Sequence, residues 1–462
     1  RQLQESSPRC YDRLASRPEI LIARGYQAMA IVPPGSSTAA SAPEGSTSYT
    51  VPLAIVTTLF FMWGFLTCLN DILVPHLKPI FDLNYKEIML IQFAFFGAYF
   101  LFSIPSAKVI DLIGYQRSMV VGLLTMGAGA FLFVPAASVP SYPLFLLALI
   151  VLAAGITCLQ VAANPYVTVL GNPATASSRL NLTQAFNSLG TFLAPFFGGL
   201  LILTAAPKTI EEIRALAPDA LRAYRLHEAA TVKMPYVGLG LALVLLAIAI
   251  GSFKLPKIPQ AQHKVGEKVN DSIWKHRNLI FGAIGIFVYV GAEVSIGSFL
   301  VNYFSLPEIG GLTEKVAASF VAFYWGGAMV GRFIGSGLLQ KMKTGHLLGI
   351  CAVCAAALVT ISMLSSGHFA MWSIILVGFF NSIMFPSIFA LGVAELGPLT
   401  GDGSGVMIMA IVGGAILPLA QGAIADRIGI HHAFFLPVIC YLYILFFALS
   451  GSRPNSERQA RT

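Results

Sequence analysis

Residues 60–78 read FFMWGFLTCLNDILVPHLK, within an apolar run from Pro52 to Leu77 that is long enough to cross a bilayer as a helix. Asn70 and Asp71 stand side by side well inside that run. An ionised carboxylate in hydrocarbon costs about 2.5–3.5 kcal/mol even on lenient insertion scales. Such a group is therefore expected to face a helix-bundle interior or a wet cavity, on a proton or ion pathway. The plainer alternative has Asp71 near the water interface or bracing a neighbouring helix. Against it, Ile72–Leu77 extends the apolar run by more than a helical turn beyond Asp71.

The rest of the 462-residue chain agrees: 56% of it is hydrophobic and only 11% charged, with a mean hydropathy of +0.75. Soluble chains carry about 25% charged residues, so the composition points to a polytopic membrane protein. The apolar spans lie near 52–76, 87–108, 118–137, 142–170, 180–204 and 234–253, then 278–303, 315–339, 346–365, 367–394, 404–424 and 431–450. Residues 1–50, with the low-complexity Pro33–Ser48, are expected to be a disordered, dispensable tail. Lys208–Lys233 reads as an amphipathic helical loop of balanced charge, and Lys254–Arg277 as a basic linker dividing the spans six and six. The expected organisation is a tail at 1–50, a six-helix half at 51–253, a linker at 254–277, a second half at 278–451 and a tail at 452–462.

With both termini placed inside, 19 of the 29 Lys and Arg residues fall in inner segments, which predicts cytoplasmic termini. The net charge of +8 is then an orientation signal, not a nucleic-acid patch. The cysteines, including the Cys351/Cys354 pair, read as small buried hydrophobes without disulfide or metal roles. No GxSxG, HExxH, phosphate-binding loop or His-rich metal spacing occurs, so neither an enzyme, a cofactor nor a metal is expected.

The two sets of spans repeat one another. Phe93-Ala-Phe-Phe-Gly97-Ala98 matches Phe323-Tyr-Trp-Gly-Gly327-Ala328. Gln160, Pro165 and Leu170-Gly171 match Asn381, Pro386 and Leu391-Gly392, at one common offset. Gly190, Pro195 and Gly199 match Gly413, Pro418 and Gly422. Duplicated six-span halves joined by a basic linker describe an all-α membrane protein with the major facilitator fold, 12 transmembrane helices and a midplane site between the halves.

Polar residues inside the spans cluster in the first half. Gln160 and Asn164 share a face of the fourth span, and Asn181, Gln184, Asn187 and Ser188 line the fifth. The matching eleventh-span positions are mostly apolar. Amides both donate and accept hydrogen bonds, which suits a neutral, hydroxyl-rich solute, whereas an anionic ligand would call for inward Arg or Lys. Arg332 is the one basic residue within a span. With Asn70 and the second-half Asn381, these amides make the substrate-binding set Asn70, Gln160, Asn164, Gln184, Asn187 and Asn381. Tyr289, Tyr324 and Phe385 are candidates to stack on a sugar ring or, as the plainer alternative, to pack between helices. Glu293, in the seventh span, is a second candidate for proton coupling, with an ion pair to Arg332 as the structural alternative. Asp111 and Arg117, after the second span, resemble a weakened facilitator loop signature and are assigned with Arg332 to gating.

NDILVPHLK at 70–78, CLQVAANPYVTVLG at 158–171 and RLNLTQAFNSLGT at 179–191 resemble the fucose permease-like branch of the major facilitator superfamily, nearest its bacterial glucose/galactose transporters. The resemblance covers Pro52–Gly451. It implies sugar uptake across the bacterial inner membrane by proton symport, with Asp71 as the essential first-span carboxylate and Gln184 and Asn187 as sugar-contacting amides. The fucose permease carries a glutamate at the position of Gln160 and a glutamine at that of Glu293. That departure keeps sodium open as the coupling ion and weakens a fucose assignment. Other sugar symport, an uncoupled facilitator, a sugar sensor and drug/proton antiport are the rival readings. The expected partners are a small sugar, a coupling cation (proton, with sodium as the alternative) and the lipid bilayer, with the protein working as a monomer.

Overall fold

A computed structural model describes residues 49–81, 85–139, 141–201, 216–231, 233–258 and 271–454; within these, the side chains at 67, 69–89, 92, 196, 198–201, 222, 225 and 227–231 are not described. No strand occurs among the described residues. An all-helical answer is what the solvent demands, because hydrocarbon offers no partner to an open backbone N–H or C=O.

In chain order the helices are α1 (Thr50–Phe81), α2 (Tyr85–Ile113), α3 (Tyr115–Ser138), α4 (Tyr142–Val169) and α5 (Ala176–Leu201). Next come α6 (Pro218–Thr231), within the expected amphipathic loop, and α7 (Lys233–Ser252). The remainder are α8 (Arg277–Ser305), α9 (Glu314–Lys341), α10 (Thr344–Leu364), α11 (Gly367–Asn381), α12 (Met384–Gly392), α13 (Thr400–Met409), α14 (Gly413–Ile428), α15 (Ile430–Ala433) and α16 (Phe435–Phe446). Among the described residues, ten helical stretches are long and apolar enough to cross a membrane. The two further expected spans fall on α1 and α5. Three spans are composite: α11 with α12, α13 with α14, and α15 with α16.

Small residues let the helices approach, as expected where lipid gives no hydrophobic drive to association. A Cβ on Gly190 of α5 would strike the carbonyl of Phe61 in α1, and one on Gly413 would strike the carbonyl of Phe287 in α8. Gly190 and Gly413 are matching repeat positions, so each set of helices makes the same backbone contact with its own first member. α3 packs on α4 in the same way, with Gly129 against the Leu152 backbone.

The two sets of helices meet along two seams, α5 against α9 and α12, and α2 with α4 against α13. Along the first, Ser178 Oγ donates to the Ser336 carbonyl at 2.7 Å, and Thr344 Oγ1 donates to Ser177 Oγ at 3.0 Å. Along the second, Lys108 Nζ donates to Asp402 Oδ1 at 3.1 Å and Ser404 Oγ donates to the Val161 carbonyl at 2.8 Å.

Candidate functional site

The site is built around two prolines. Pro165 in α4 and Pro386 in α12 lack the N–H that would bond the carbonyl four residues back, and their rings press against that carbonyl. The carbonyls concerned belong to Val161 and Ser382. α4 continues past Pro165, and the freed Val161 carbonyl is taken by Ser404. The tenth span instead breaks between Asn381 and Met384. There the Ser382 carbonyl accepts from Arg332 Nε at 3.3 Å and the Asn381 carbonyl from Tyr289 Oη at 3.0 Å. A broken helix at membrane depth persists only when side chains re-satisfy it in this way.

Glu293 joins both of those side chains. Its Oε1 lies 2.8 Å from Tyr289 Oη and 3.9 Å from Arg332 Nη2. Arg332 also donates through Nη1 to Ser188 Oγ on α5, in the other set of helices. The Glu293 and Arg332 side chains keep 13% and 14% of their surface, so the pair is held largely away from bulk water. Such pairs balance a large desolvation cost against attraction, and losing one member leaves an uncompensated charge.

Tyr324 Oη is directed at the Glu293 backbone carbonyl, 3.5 Å away, and accepts from Asn381 Nδ2 at 2.9 Å. That orientation leaves Asn381 Oδ1 buried with no bonded partner. Tyr441 of α16 faces Asn381 and Glu293 with its hydroxyl buried.

The first set of helices supplies amides without a described charge beside them. Gln160 Nε2 donates to Tyr99 Oη at 2.7 Å, and Gln184 Nε2 lies 3.5 Å from Asn164 Oδ1. Gln160 Oε1 and Asn164 Nδ2 are buried and unbonded. Asn187 Nδ2 instead donates to the Phe60 carbonyl at 2.9 Å, which commits that edge to the α1–α5 contact. Asn181 Nδ2 crosses the seam to the Arg332 carbonyl at 2.7 Å and to Ser336 Oγ at 3.2 Å.

The remaining expected residues are placed as follows. Phe385 is buried and stacks on Phe389, with ring centroids 6.1 Å apart. Asp111 lies 3.9 Å from Lys108 Nζ, close to the Lys108–Asp402 bond, whereas Arg117 is exposed at the start of α3. Asn70 and Asp71 fall within α1, but their side chains lie outside the described residues. Arg332 sits well inside α9, two turns before its end, as a junction between helices. Sequence reasoning missed Tyr441 and Ser336, since a lone tyrosine or serine in an apolar span carries no signal of what it will face. Ser404 was given no role either, although the repeat sets it at the position matching Asn181. Among the described residues no cluster of His, Cys, Asp and Glu could hold a metal.

Known proteins bring the same fold and sequence together. A "Glucose/galactose transporter" of Brucella abortus biovar 1 (strain 9-941) is 54% identical over 406 residues, covering 88% of this chain and 95% of that protein. The "L-fucose-proton symporter" of Escherichia coli (strain K12) is 36% identical over 410 residues, covering 87% of this chain and 93% of that protein. Crystal structures of an asparagine-to-alanine variant of the E. coli fucose:proton symporter FucP and of the Major Facilitator Superfamily transporter FucP in the outward conformation each superpose with a TM-score of 0.82 at 34% identity. They cover 88% of this chain and 99–100% of theirs. The Major Facilitator Superfamily profile matches residues 53–411. The chain is a multi-pass membrane transporter of the Major Facilitator Superfamily.

Proposed function

We propose that the protein takes up a neutral hexose, glucose or galactose first, by alternating access coupled to protons. One observation carries the choice of ligand. The buried cation Arg332 is already matched by Glu293, while Gln160 Oε1, Asn164 Nδ2 and Asn381 Oδ1 remain buried and unbonded. A charge-neutral site with spare donors and acceptors fits hydroxyl groups and disfavours phosphates and carboxylates. The names of the relatives point the same way, since they include a glucose/galactose transporter and a proton symporter of L-fucose.

In this reading Asp71 carries the coupling proton, Gln160, Asn164, Gln184 and Asn381 meet the sugar, and Glu293 is the second candidate carboxylate. Arg332, Asp111 and Arg117 belong to gating. The helices at 51–253 and 278–451 move as two halves joined by 254–277, in the inner membrane, with both termini cytoplasmic and the monomer as working unit. The test is competition of D-glucose, D-galactose, L-fucose and mannose against labelled galactose in cells lacking their own transporters, with and without sodium. Glucose and galactose should compete best and sodium should make no difference. L-fucose competing best, or uptake that needs sodium, overturns the corresponding part of the reading. Drug resistance without sugar uptake overturns all of it.

A further inference from the structure

Arg332 is the point where three structural features meet. Its Nε satisfies the carbonyl freed at the break in the tenth span, at Ser382. Its Nη1 reaches Ser188 on α5, across the seam between the two sets of helices. Its Nη2 faces Glu293 on α8. Its own backbone carbonyl accepts from Asn181, again across the seam. A planar guanidinium offers five donors in a fixed fork, so it cannot turn toward one partner without changing its geometry at the others.

We infer that Arg332 is a positioning residue through which the charge of Glu293 controls the α5–α9 seam. With Glu293 ionised, the guanidinium is held flat between Glu293, Ser382 and Ser188, and the seam is latched. When that charge is neutralised, by a proton or by a nearby cation, the guanidinium loses its anchor on α8. The Ser188 bond then weakens, which leaves the hydrogen bonds of Asn181, Ser178 and Ser177 and the Phe186–Phe333 ring contact along this line among the described residues. Around Glu293, the facing titratable groups are Tyr289 on α8, Arg332 and Tyr324 on α9, and Tyr441 on α16. Among the described side chains, α11, α12, α13 and α14 present none to it. Among the described residues, the charge state of this neighbourhood is therefore set by one acid and one base.

The inference rests on alternating access but not on the identity of the sugar or of the coupling ion. Its test is accordingly a distance measured without ligand. Nitroxides are placed at Ala174→Cys and Lys343→Cys, two exposed sites flanking the Ser177–Thr344 contact. The full chain is used, with its native cysteines changed to alanine, and distances are read by double electron–electron resonance. Glu293→Gln should raise the ratio of long to short distances about tenfold, the low end expected for loss of the charge-assisted Arg332–Ser188 bond. Ser188→Ala should move it in the same direction, and Glu293→Asp, which keeps the charge, should stay close to the parent. Glu293→Gln combined with Ser188→Ala should open the seam no further than the stronger single change. An unchanged distribution in Glu293→Gln, or full additivity in the double variant, overturns the inference. Loss of hexose competition with these distances behaving as stated overturns the transport reading alone.

Discussion

The two proline sites of the repeat invite direct comparison. Pro165 and Pro386 stand at matching positions, and each leaves a carbonyl open four residues earlier. In the first half α4 stays continuous, and the Val161 carbonyl is capped by the neutral Ser404, reaching over from the other set of helices. In the second half the helix breaks, and the Ser382 carbonyl is capped by Arg332, which is itself tied to Glu293. The matched amides behave alike, Gln160 donating to Tyr99 and Asn381 to Tyr324. Duplication thus kept the backbone defect and its amide–tyrosine pair, while the cap diverged from a hydroxyl to a charged network. Around these prolines the described side chains of the first half form an uncharged hydrogen-bonding surface, whereas the second half carries an ion pair. That difference supports the proposed division of labour, with sugar contact weighted to one side and conformational control to the other.

The largest expected effect tests this asymmetry at the proposed coupling acid of the first half. Asp71→Asn should abolish accumulation of sugar against a gradient while leaving exchange of internal for external sugar intact. Uptake and counterflow in right-side-out vesicles measure the two separately. A variant that still concentrates sugar would move the coupling role to Glu293 and reverse the proposed division.

The next effect tests what the halves share. Leu at Gly190 or at Gly413 must displace a backbone carbonyl, so each should cost more than the about 1–3 kcal/mol typical of overpacked cores. Thermal unfolding of the purified variants in detergent should show comparable losses for the two. A strong loss at one position with tolerance at the other would mean that the repeat is not structurally equivalent there.

The smallest effect concerns the neutral cap. Ser404→Ala leaves the Val161 carbonyl bare and should cost about 1 kcal/mol, as for an ordinary buried hydrogen bond. Its Tm should fall by a few degrees with sugar affinity little changed. A loss far larger than that would mean the hydroxyl cap is as deeply networked as Arg332.

Much of this architecture was legible in the chain. Span number, the amphipathic loop and the repeat follow from hydropathy and spacing, because a bilayer forces every crossing segment to be apolar and helical. Gln160, Asn164 and Gln184 stood out for the same reason, since a buried amide must find partners. What could not be read was which partner each residue takes. Asn187 looked equivalent to Gln184, yet it bonds the α1 backbone, because Gly64 and Gly190 bring α1 and α5 together at that level. Arg332 read as a gating residue, and its three-way junction depends on the break at Ser382 and on a serine 144 residues away in sequence.

The sequence by itself determined the solvent, the secondary structure, the duplication and the kinds of polar group available, since each follows from local composition and periodicity. Tertiary structure alone decided the pairings: Ser404 with Val161, Arg332 with Glu293, Ser382 and Ser188, and Asn381 with Tyr324. The reason is geometric. A freed carbonyl or a buried charge specifies only that a partner must exist, and the packing of distant helices selects which side chain arrives.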